Sequence, residues 1–116
     1  MAVDMFLKLK GLKGESEDSE FKGEIDVLAW SWGMSQSGTM HVGGGGGAGK
    51  ANFQDLSITK WVDSSSCSLM MACAKGTHIT DANLIVRKAG DKPLQYIKIA
   101  FKELIVSSVS TGGSGG

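Results

Sequence analysis

The sequence has little proline and cysteine, no excess charge of either sign and no long apolar run. Basic and acidic residues number 12 each, so the basic excess typical of nucleic-acid-binding proteins is missing and we expect no nucleic-acid partner. No apolar stretch approaches the roughly 20 residues of a transmembrane helix, so we expect no membrane insertion. Residues 1–10 mix charged and apolar side chains, whereas a signal peptide has an unbroken apolar region. If the protein leaves a cell, we expect it to do so without a signal peptide.

The two cysteines, Cys67 and Cys73, lie six positions apart in a predicted helix. That spacing turns the side chains by about 600°, onto different faces, so they are not expected to bond to each other. Unpaired cysteines fit a protein that folds in a reducing cytoplasm.

Motifs for catalysis and for metal binding are also missing. His41 and His78 are the only histidines, and neither forms a metal-ligand spacing with the other or with the cysteines. There is no G-x-S-x-G sequence that would place a nucleophilic serine. We therefore predict no catalytic residue, no metal site, no cofactor and no enzyme activity.

Glycine, in contrast, is abundant at 17 residues, and five of these are consecutive at Gly43–Gly47. The segment from Gly44 to Lys50 matches the phosphate-binding pattern G-x-x-x-x-G-K, but Ala51 stands where that motif needs Ser or Thr. The residues after it favour a strand, whereas a phosphate loop opens a helix. We expect a long interaction loop, Ser37–Lys50, whose glycines allow close approach to another chain.

Alternating and helical patterns predict about five strands and one helix. Short runs in which two kinds of side chain alternate, mostly apolar with polar, predict the strands Met5–Lys10, Glu24–Gln36, Asn52–Val62, Ile79–Lys88 and Leu94–Val106. Capping residues at 63–66 and a glycine at 76 predict the helix Cys67–Lys75, with Leu69, Met70 and Cys73 as its buried stripe. Gly11–Lys22 is predicted to be a polar loop, ordered in part. The fold class is mostly β, an antiparallel β-barrel or sandwich with one short flanking α-helix.

The strand predicted at Glu24–Gln36 has two unlike faces. Large apolar residues at Leu28, Trp30, Trp32 and Met34 predict a face turned to the core. The other face carries the small residues Ala29, Ser31, Gly33 and Ser35. Ile25 and Val27 fall on this small-residue face, which predicts a bulge or a second buried contact near the start of the strand. Trp61 lies on the same side of its predicted strand as Ser57 and Thr59, not on the apolar side, so it is a candidate interface residue.

Four stretches of the chain together resemble one family. They are Ala2–Phe6, the segment from Glu24 to Lys50 with its Trp-Ser-Trp-Gly-Met sequence, Leu69–Cys73, and Val106–Gly116. The sequence resembles the haemolysin-coregulated protein (Hcp) family of bacterial type VI secretion systems from end to end. Members of that family usually continue beyond the position of Gly116, so we expect residues 1–116 to form a single Hcp-like domain that lacks the family's C-terminal strands.

The resemblance implies a structural subunit that forms hexameric rings, which stack into a tube inside a contractile sheath and beneath a spike protein. Small effector proteins are implied as cargo in the ring lumen. The protein would be made in the bacterial cytoplasm and then secreted. In such a ring the small-residue face, Ala29, Ser31, Gly33 and Ser35, would lie either on the outside or along the lumen, and its lack of charge favours the lumen wall. The implied inter-subunit loop comprises Met40, His41, Val42, Gly43, Gly44, Gly45, Gly46, Gly47 and Lys50. The alternative is a monomeric β-domain that binds partners through its Gly-rich loop.

Overall fold

The computed structural model describes residues 3–37, 50–90 and 94–115. Within them the fold is mostly β, with strands β1 (Val3–Leu9), β2 (Ile25–Asp26), β3 (Ala29–Ser31), β4 (Met34–Gln36), β5 (Ala51–Phe53), β6 (Ser57–Thr59), β7 (Ile79–Lys88) and β8 (Leu94–Leu104) and one helix, α1 (Ser64–Lys75). The chain divides into two compact units, one formed by Met1–Leu28 with Lys60–Gly116 and the other by Ala29–Thr59.

The first unit is built on a four-stranded antiparallel sheet in the order β2-β1-β7-β8. β1 pairs with β7 along its whole length, from Val3 opposite Lys88 to Leu9 opposite Ala82. On β8 the half-buried side chains of Ile97, Ile99 and Phe101 alternate with exposed neighbours, as the sequence pattern predicts. Within the described residues this sheet is not closed into a barrel.

Side chains on both faces of this sheet are buried at its centre. Leu7 and its β7 partner Leu84 are buried, and so are the adjacent pair Phe6 and Ile85. Since neighbouring residues of a strand point to opposite faces, both faces of the sheet are covered here. Phe21, from the segment after β1, stacks on Phe6 with 4.7 Å between ring centroids. The simple alternation expected for β1 is therefore wrong, because the segment predicted to be a polar loop covers its second face.

Helix α1 has the capping signals that the sequence predicts, but it begins three residues earlier than Cys67. Asp63 is the N-cap: its carboxylate accepts a hydrogen bond from the Ser65 amide at 2.9 Å, and the Ser66 hydroxyl accepts one from the Asp63 amide at 3.1 Å. Gly76 ends the helix in the left-handed conformation, with φ of 63°. Both cysteines lie on this helix and are free.

The buried stripe of α1 differs from the predicted one. Ser65 and Ala72 are the buried residues, Leu69 and Cys73 are half-buried, and Met70 is 40% exposed. The small residues Ser65 and Ala72 face inward, and the larger Met70 side chain lies on the exposed side. The prediction of a buried Met70 is wrong.

The second unit is a two-stranded antiparallel ribbon made of residues 29–37 and 50–59. β3 pairs with β6 and β4 pairs with β5. Between these two ladders, Trp32 and Gly33 on one strand lie opposite Gln54, Asp55 and Leu56 on the other, so the returning strand carries one extra residue.

The single strands predicted at Glu24–Gln36 and Asn52–Val62 are therefore interrupted. The first is divided into β2, β3 and β4, and the second into β5 and β6. The predicted second buried contact near the start of the first segment is confirmed, since Ile25 is fully buried and Val27 is 7% exposed. These two residues belong to the core of the first unit, whereas residues 29–36 of the segment belong to the ribbon.

Candidate assembly surface

One face of the ribbon carries large apolar side chains that lie open to solvent. Met34 is 56% exposed and lies directly opposite Phe53, which is 65% exposed. Trp32, 41% exposed, stacks on Phe53 with 6.3 Å between ring centroids and 17° between ring planes. Trp30 is half-buried opposite Ile58. We call the three exposed residues Trp32, Met34 and Phe53 the apolar face of the ribbon.

This exposure corrects the prediction that Leu28, Trp30, Trp32 and Met34 lie in the core. Leu28 is 44% exposed, and Trp30 is the one of the four with intermediate burial. The alternation of large and small residues is real, but the residues described in this unit, 29–37 and 50–59, include no further strand or helix that covers the apolar side of the ribbon. The pattern therefore identified an apolar surface correctly and assigned it to the wrong environment.

The opposite face of the ribbon holds the predicted lumen residues. Ala29 and Ser31, on β3, lie opposite Thr59 and Ser57, and all four side chains are exposed. Ser35, on β4, is exposed as well. This face is uncharged at these positions, and its side chains are short.

Gly33 differs from the other three predicted lumen residues. It is half-buried, and a Cβ atom built on it would lie 3.1 Å from the side-chain oxygen of Gln54. The backbone amide of Gln54 also donates a hydrogen bond to the backbone carbonyl of Gly33 at 2.9 Å. Gly33 is thus a place of close approach inside the ribbon, where a larger side chain would press on Gln54.

The ribbon strands are joined by a pair of reciprocal hydrogen bonds at Ser37 and Lys50. The Ser37 amide donates to the Lys50 carbonyl at 3.2 Å, and the Lys50 amide donates to the Ser37 hydroxyl at 3.1 Å. Lys50 is exposed, and β5 begins directly after it, where a phosphate-binding loop would be followed by a helix. The predicted loop residues Met40, His41, Val42 and Gly43–Gly47 lie outside the described residues.

Trp61 and its neighbour Val62 form a second exposed apolar site, just before α1. Their exposed fractions are 68% and 79%. The Trp61 carbonyl accepts a hydrogen bond from the Lys60 ammonium at 2.7 Å, and the same ammonium pairs with Asp63 at 2.7 Å. Burial raises the pKa of the Asp63 carboxyl, but its hydrogen bonds from Lys60 and Ser65 outweigh that effect and the pKa is lowered. The Lys60 ammonium thus links the backbone at Trp61 to the capping carboxylate of α1.

The charged cluster around the buried Arg87 is not predicted by any local pattern in the sequence. Arg87 is 5% exposed, and its guanidinium contacts the carboxylates of Asp4, Asp18 and Glu20. The guanidinium carbon lies 5.0 Å from the centroid of the Phe6 ring. The one available signal was an arginine directly after the apolar residues Leu84–Val86 of β7, with an acidic run far away in the chain.

The described residues hold no group of three His, Cys, Asp or Glu side chains arranged to bind a metal ion. Among the same residues, no helix combines the length and the apolar character that a membrane crossing requires.

Comparison with known proteins identifies the family. The model of the family described as type VI secretion system effector, Hcp, matches residues 6–115. Protein hcp1 of Pseudomonas aeruginosa is 63% identical over 117 aligned positions, which cover 100% of this chain and 72% of that protein. The crystal structure of Hcp1 from Salmonella typhimurium superposes with a TM-score of 0.80 at 40% identity, over 98% of this chain and 71% of that one.

A second solved structure, of a type VI secretion system effector from Yersinia pestis, gives the same result. It superposes with a TM-score of 0.80 at 35% identity, over 96% of this chain and 74% of that one. The predicted mostly β fold with one helix is confirmed by these structures. Because the family match and the sequence identity both extend over nearly the whole chain, the chain belongs to the Hcp family of type VI secretion system proteins.

Proposed function

We propose that this protein is a ring-forming subunit of the type VI secretion inner tube, and that its hexameric rings stack into that tube. Family membership supports a role as a tube subunit. The observation that carries the proposal is the apolar face of the ribbon, where Trp32, Met34 and Phe53 are all more than 40% exposed. A structural role of this kind requires assembly and no catalysis.

The physical argument starts from the marginal stability of a two-stranded ribbon in water. The ribbon offers a stacked aromatic pair and a methionine to solvent, and contiguous apolar patches of this kind mark interaction sites. Aromatic residues and methionine are enriched at protein interfaces. A neighbouring copy of the chain that covers this face would stabilise the ribbon and the ring together. Trp61, at 68% exposure, is the second contact that we assign to ring assembly.

The same proposal covers the remaining partners. A contractile sheath would surround the tube, a spike protein would cap it, and small effector proteins would travel in the lumen. The protein would be synthesised in the bacterial cytoplasm and leave it with the tube. Ala29, Ser31 and Ser35 would line the lumen, because a wall of short uncharged side chains lets varied cargo pass.

The proposed assembly role of the Gly-rich loop is tested by deleting residues 43–48. We expect the variant to remain folded, because Ser37 and Lys50 hold the ends of the ribbon strands together through their own hydrogen bonds. Rings should be fewer and stacked rings should be lost, since the loop is proposed to contact a neighbouring subunit or ring. Size-exclusion chromatography with light scattering, combined with negative-stain images, measures both.

A deletion of equal length at residues 111–116 is the matched control, because Gly112, Gly113 and Gly115 have no neighbouring atoms within 4 Å of a built Cβ. Unchanged rings and stacks in the loop deletion would contradict the proposed loop contact. A parent protein that is monomeric at all concentrations would instead favour a monomeric binding module that uses the Gly-rich loop.

The proposed lumen face is tested by Ser31→Gln. Ser31 is exposed on β3 and lies opposite the exposed Ser57, so a longer polar side chain should leave folding and rings intact. Retention of a co-expressed effector in a pull-down should fall several-fold, because glutamine narrows the channel. Ser68→Gln, on the exposed side of α1, is the control and should retain effector like the parent.

Two outcomes would contradict this assignment. Rings of Ser31→Gln that hold effector as well as the parent does would show that Ser31 does not contact cargo. Loss of the rings would place Ser31 in an interface between subunits.

A further inference from the structure

The segment between β1 and β2, residues 11–24, is fastened at two separate places by carboxylates. We call this segment the strap. Asp18 and Glu20 reach Arg87 on β7, and Glu15 reaches the first residues of α1. The strap therefore links the sheet to the start of the helix through side-chain charges.

The first fastening surrounds a buried guanidinium. Arg87 donates to Asp18, to Glu20 at 3.3 Å and to Asp4 at 3.4 Å. Asp18 also accepts hydrogen bonds from the amides of Glu20 and Phe21, at 3.0 and 3.2 Å. One carboxylate thus shapes the turn of the strap and ties that turn to the sheet.

The second fastening lies at the N-terminus of α1. The Glu15 carboxylate accepts a hydrogen bond from the Ser64 amide at 2.6 Å. Ser64 is the first residue of the helix, and its amide has no partner within the helix. A carboxylate is favoured at this end of a helix by the helix dipole.

Between the two fastenings the strap has a short set of backbone hydrogen bonds. The Gly14 amide donates to the Gly23 carbonyl at 2.8 Å, and the Gly23 amide donates to the Ser16 carbonyl at 2.8 Å. The Ser16 amide donates to the Glu24 carbonyl at 2.9 Å. The approach at Gly14 is close, because a Cβ there would lie 2.4 Å from the Glu24 carbonyl oxygen. Phe21 on Phe6 is the apolar anchor of the strap.

We infer that the strap is an acid-releasable fastening, which holds the start of α1 to the sheet at neutral pH and loosens when its carboxylates take up protons. Carboxylates hold the strap at both ends, whereas the β1–β7 ladder also has backbone hydrogen bonds and the buried apolar pairs Leu7 with Leu84 and Phe6 with Ile85, which do not titrate. Acid should therefore loosen the strap while the sheet stays paired.

The charged groups around the strap determine the direction of this effect. Arg87 meets Asp4 from β1 and Asp18 and Glu20 from the strap, and the neutral Gln95 of β8 donates to Glu20 at 3.3 Å. Glu17 and Asp26 lie with Asp4 and Asp18 around one open pocket. The Lys60–Asp63 ion pair stands at the start of α1.

The pKa of Asp18 is lowered, first by its hydrogen bond from Arg87. A carboxyl with a lowered folded-state pKa stabilises the attached strap above its usual value of 3.8, and that stabilisation is lost as the pH falls through the lower value. Glu24, at the end of the strap, acts in the opposite direction, since burial raises its pKa from the usual 4.5. Lys8 attracts the Glu24 carboxylate, and Asp18 and Glu20 repel it.

Amide hydrogen exchange of the full chain tests the inference. Protection factors are compared at about pH 7 and about pH 3, the range in which carboxylates titrate. The amides of Gly14, Ser16 and Gly23 are expected to lose protection several-fold more than those of Leu84 and Val86 on β7. Asp18→Asn keeps the acceptor oxygen and removes the charge, so it should lower the strap protection already at neutral pH. Glu17→Gln removes one charge from an exposed position next to Asp18 that is not one of the three carboxylates paired with Arg87, and it should behave like the parent.

Equal loss of protection in the strap and in β7 would overturn the inference, because it would show global acid unfolding. Equal effects of Asp18→Asn and Glu17→Gln would overturn it as well, since general charge density would then explain the result. The acid titration of the parent does not depend on either variant, so the inference remains testable if Asp18→Asn folds poorly.

Discussion

Arg87→Ala is expected to lower the free energy of unfolding by about 2 kcal/mol, the usual scale for lost hydrogen bonds to a charged group, because the guanidinium is removed while its carboxylate partners keep contact with water. The Arg87 side chain is 6% exposed, and it neutralises Asp4, Asp18 and Glu20 together. Alanine leaves these carboxylates to repel one another and also removes the cation that lies over the rings of Phe6 and Phe21. Urea denaturation at neutral pH measures the change.

The neighbouring position provides a matched control. Lys88 is exposed at the end of β7, and Lys88→Ala should change the free energy of unfolding by no more than about 0.5 kcal/mol. A similar small effect for Arg87→Ala would show that the cluster contributes little and that the apolar contact between Phe6 and Phe21 is sufficient.

The same variant should also change how stability depends on pH. In the parent, Glu24 has a raised pKa, so stability should rise as the pH falls from neutral towards 4.5. Asp18 has a lowered pKa, so stability should fall again below 3.8. Without Arg87 the main cause of the lowered Asp18 pKa is gone. Arg87→Ala should therefore show a smaller decrease of stability on the acid side, where the lowered pKa of Asp63 still acts, and a parallel pH profile in both proteins would contradict this.

Elements with strong local signals could be predicted closely from the sequence. β7 has the predicted bounds Ile79–Lys88, because an apolar β-branched run followed by a glycine turn needs no distant partner to be recognised. Gly76 ends α1 as predicted, because only a left-handed residue closes the helix in this way.

Features that depend on contacts distant in sequence could not be predicted. Arg87 and Asp18 are 69 positions apart, and no local pattern connects them. Phe21 lies in a segment rich in charge, so its role as cover for Phe6 is hidden. Trp32 shows a third limit, since alternation reveals that one side of a strand is apolar but not whether the same chain covers it.

Phe53→Ser is expected to abolish rings while the monomer stays folded. Phe53 is 65% exposed, stacks on Trp32 and lies opposite Met34, so it is at the centre of the apolar face. Within the monomer the main loss is one aromatic pair, about 1 kcal/mol. In an assembled ring Phe53 would be a buried aromatic residue of the interface, and its removal would weaken each contact between subunits by about 2 kcal/mol or more. That free energy corresponds to a more than tenfold lower affinity for each contact.

A ring closes only when every contact between its subunits forms, so this loss is repeated around the ring and rings should be absent at concentrations where the parent forms them. Asn52→Ser is the matched control, because Asn52 is the neighbouring residue of β5 and is exposed on the other side of the ribbon, opposite Ser35. Light scattering after size exclusion should show a monomer for Phe53→Ser and parent-like assemblies for Asn52→Ser. Parent-like rings in Phe53→Ser would show that the apolar face is not the assembly surface and would shift that role to Trp61 and Val62, whose exposed side chains are the next candidates.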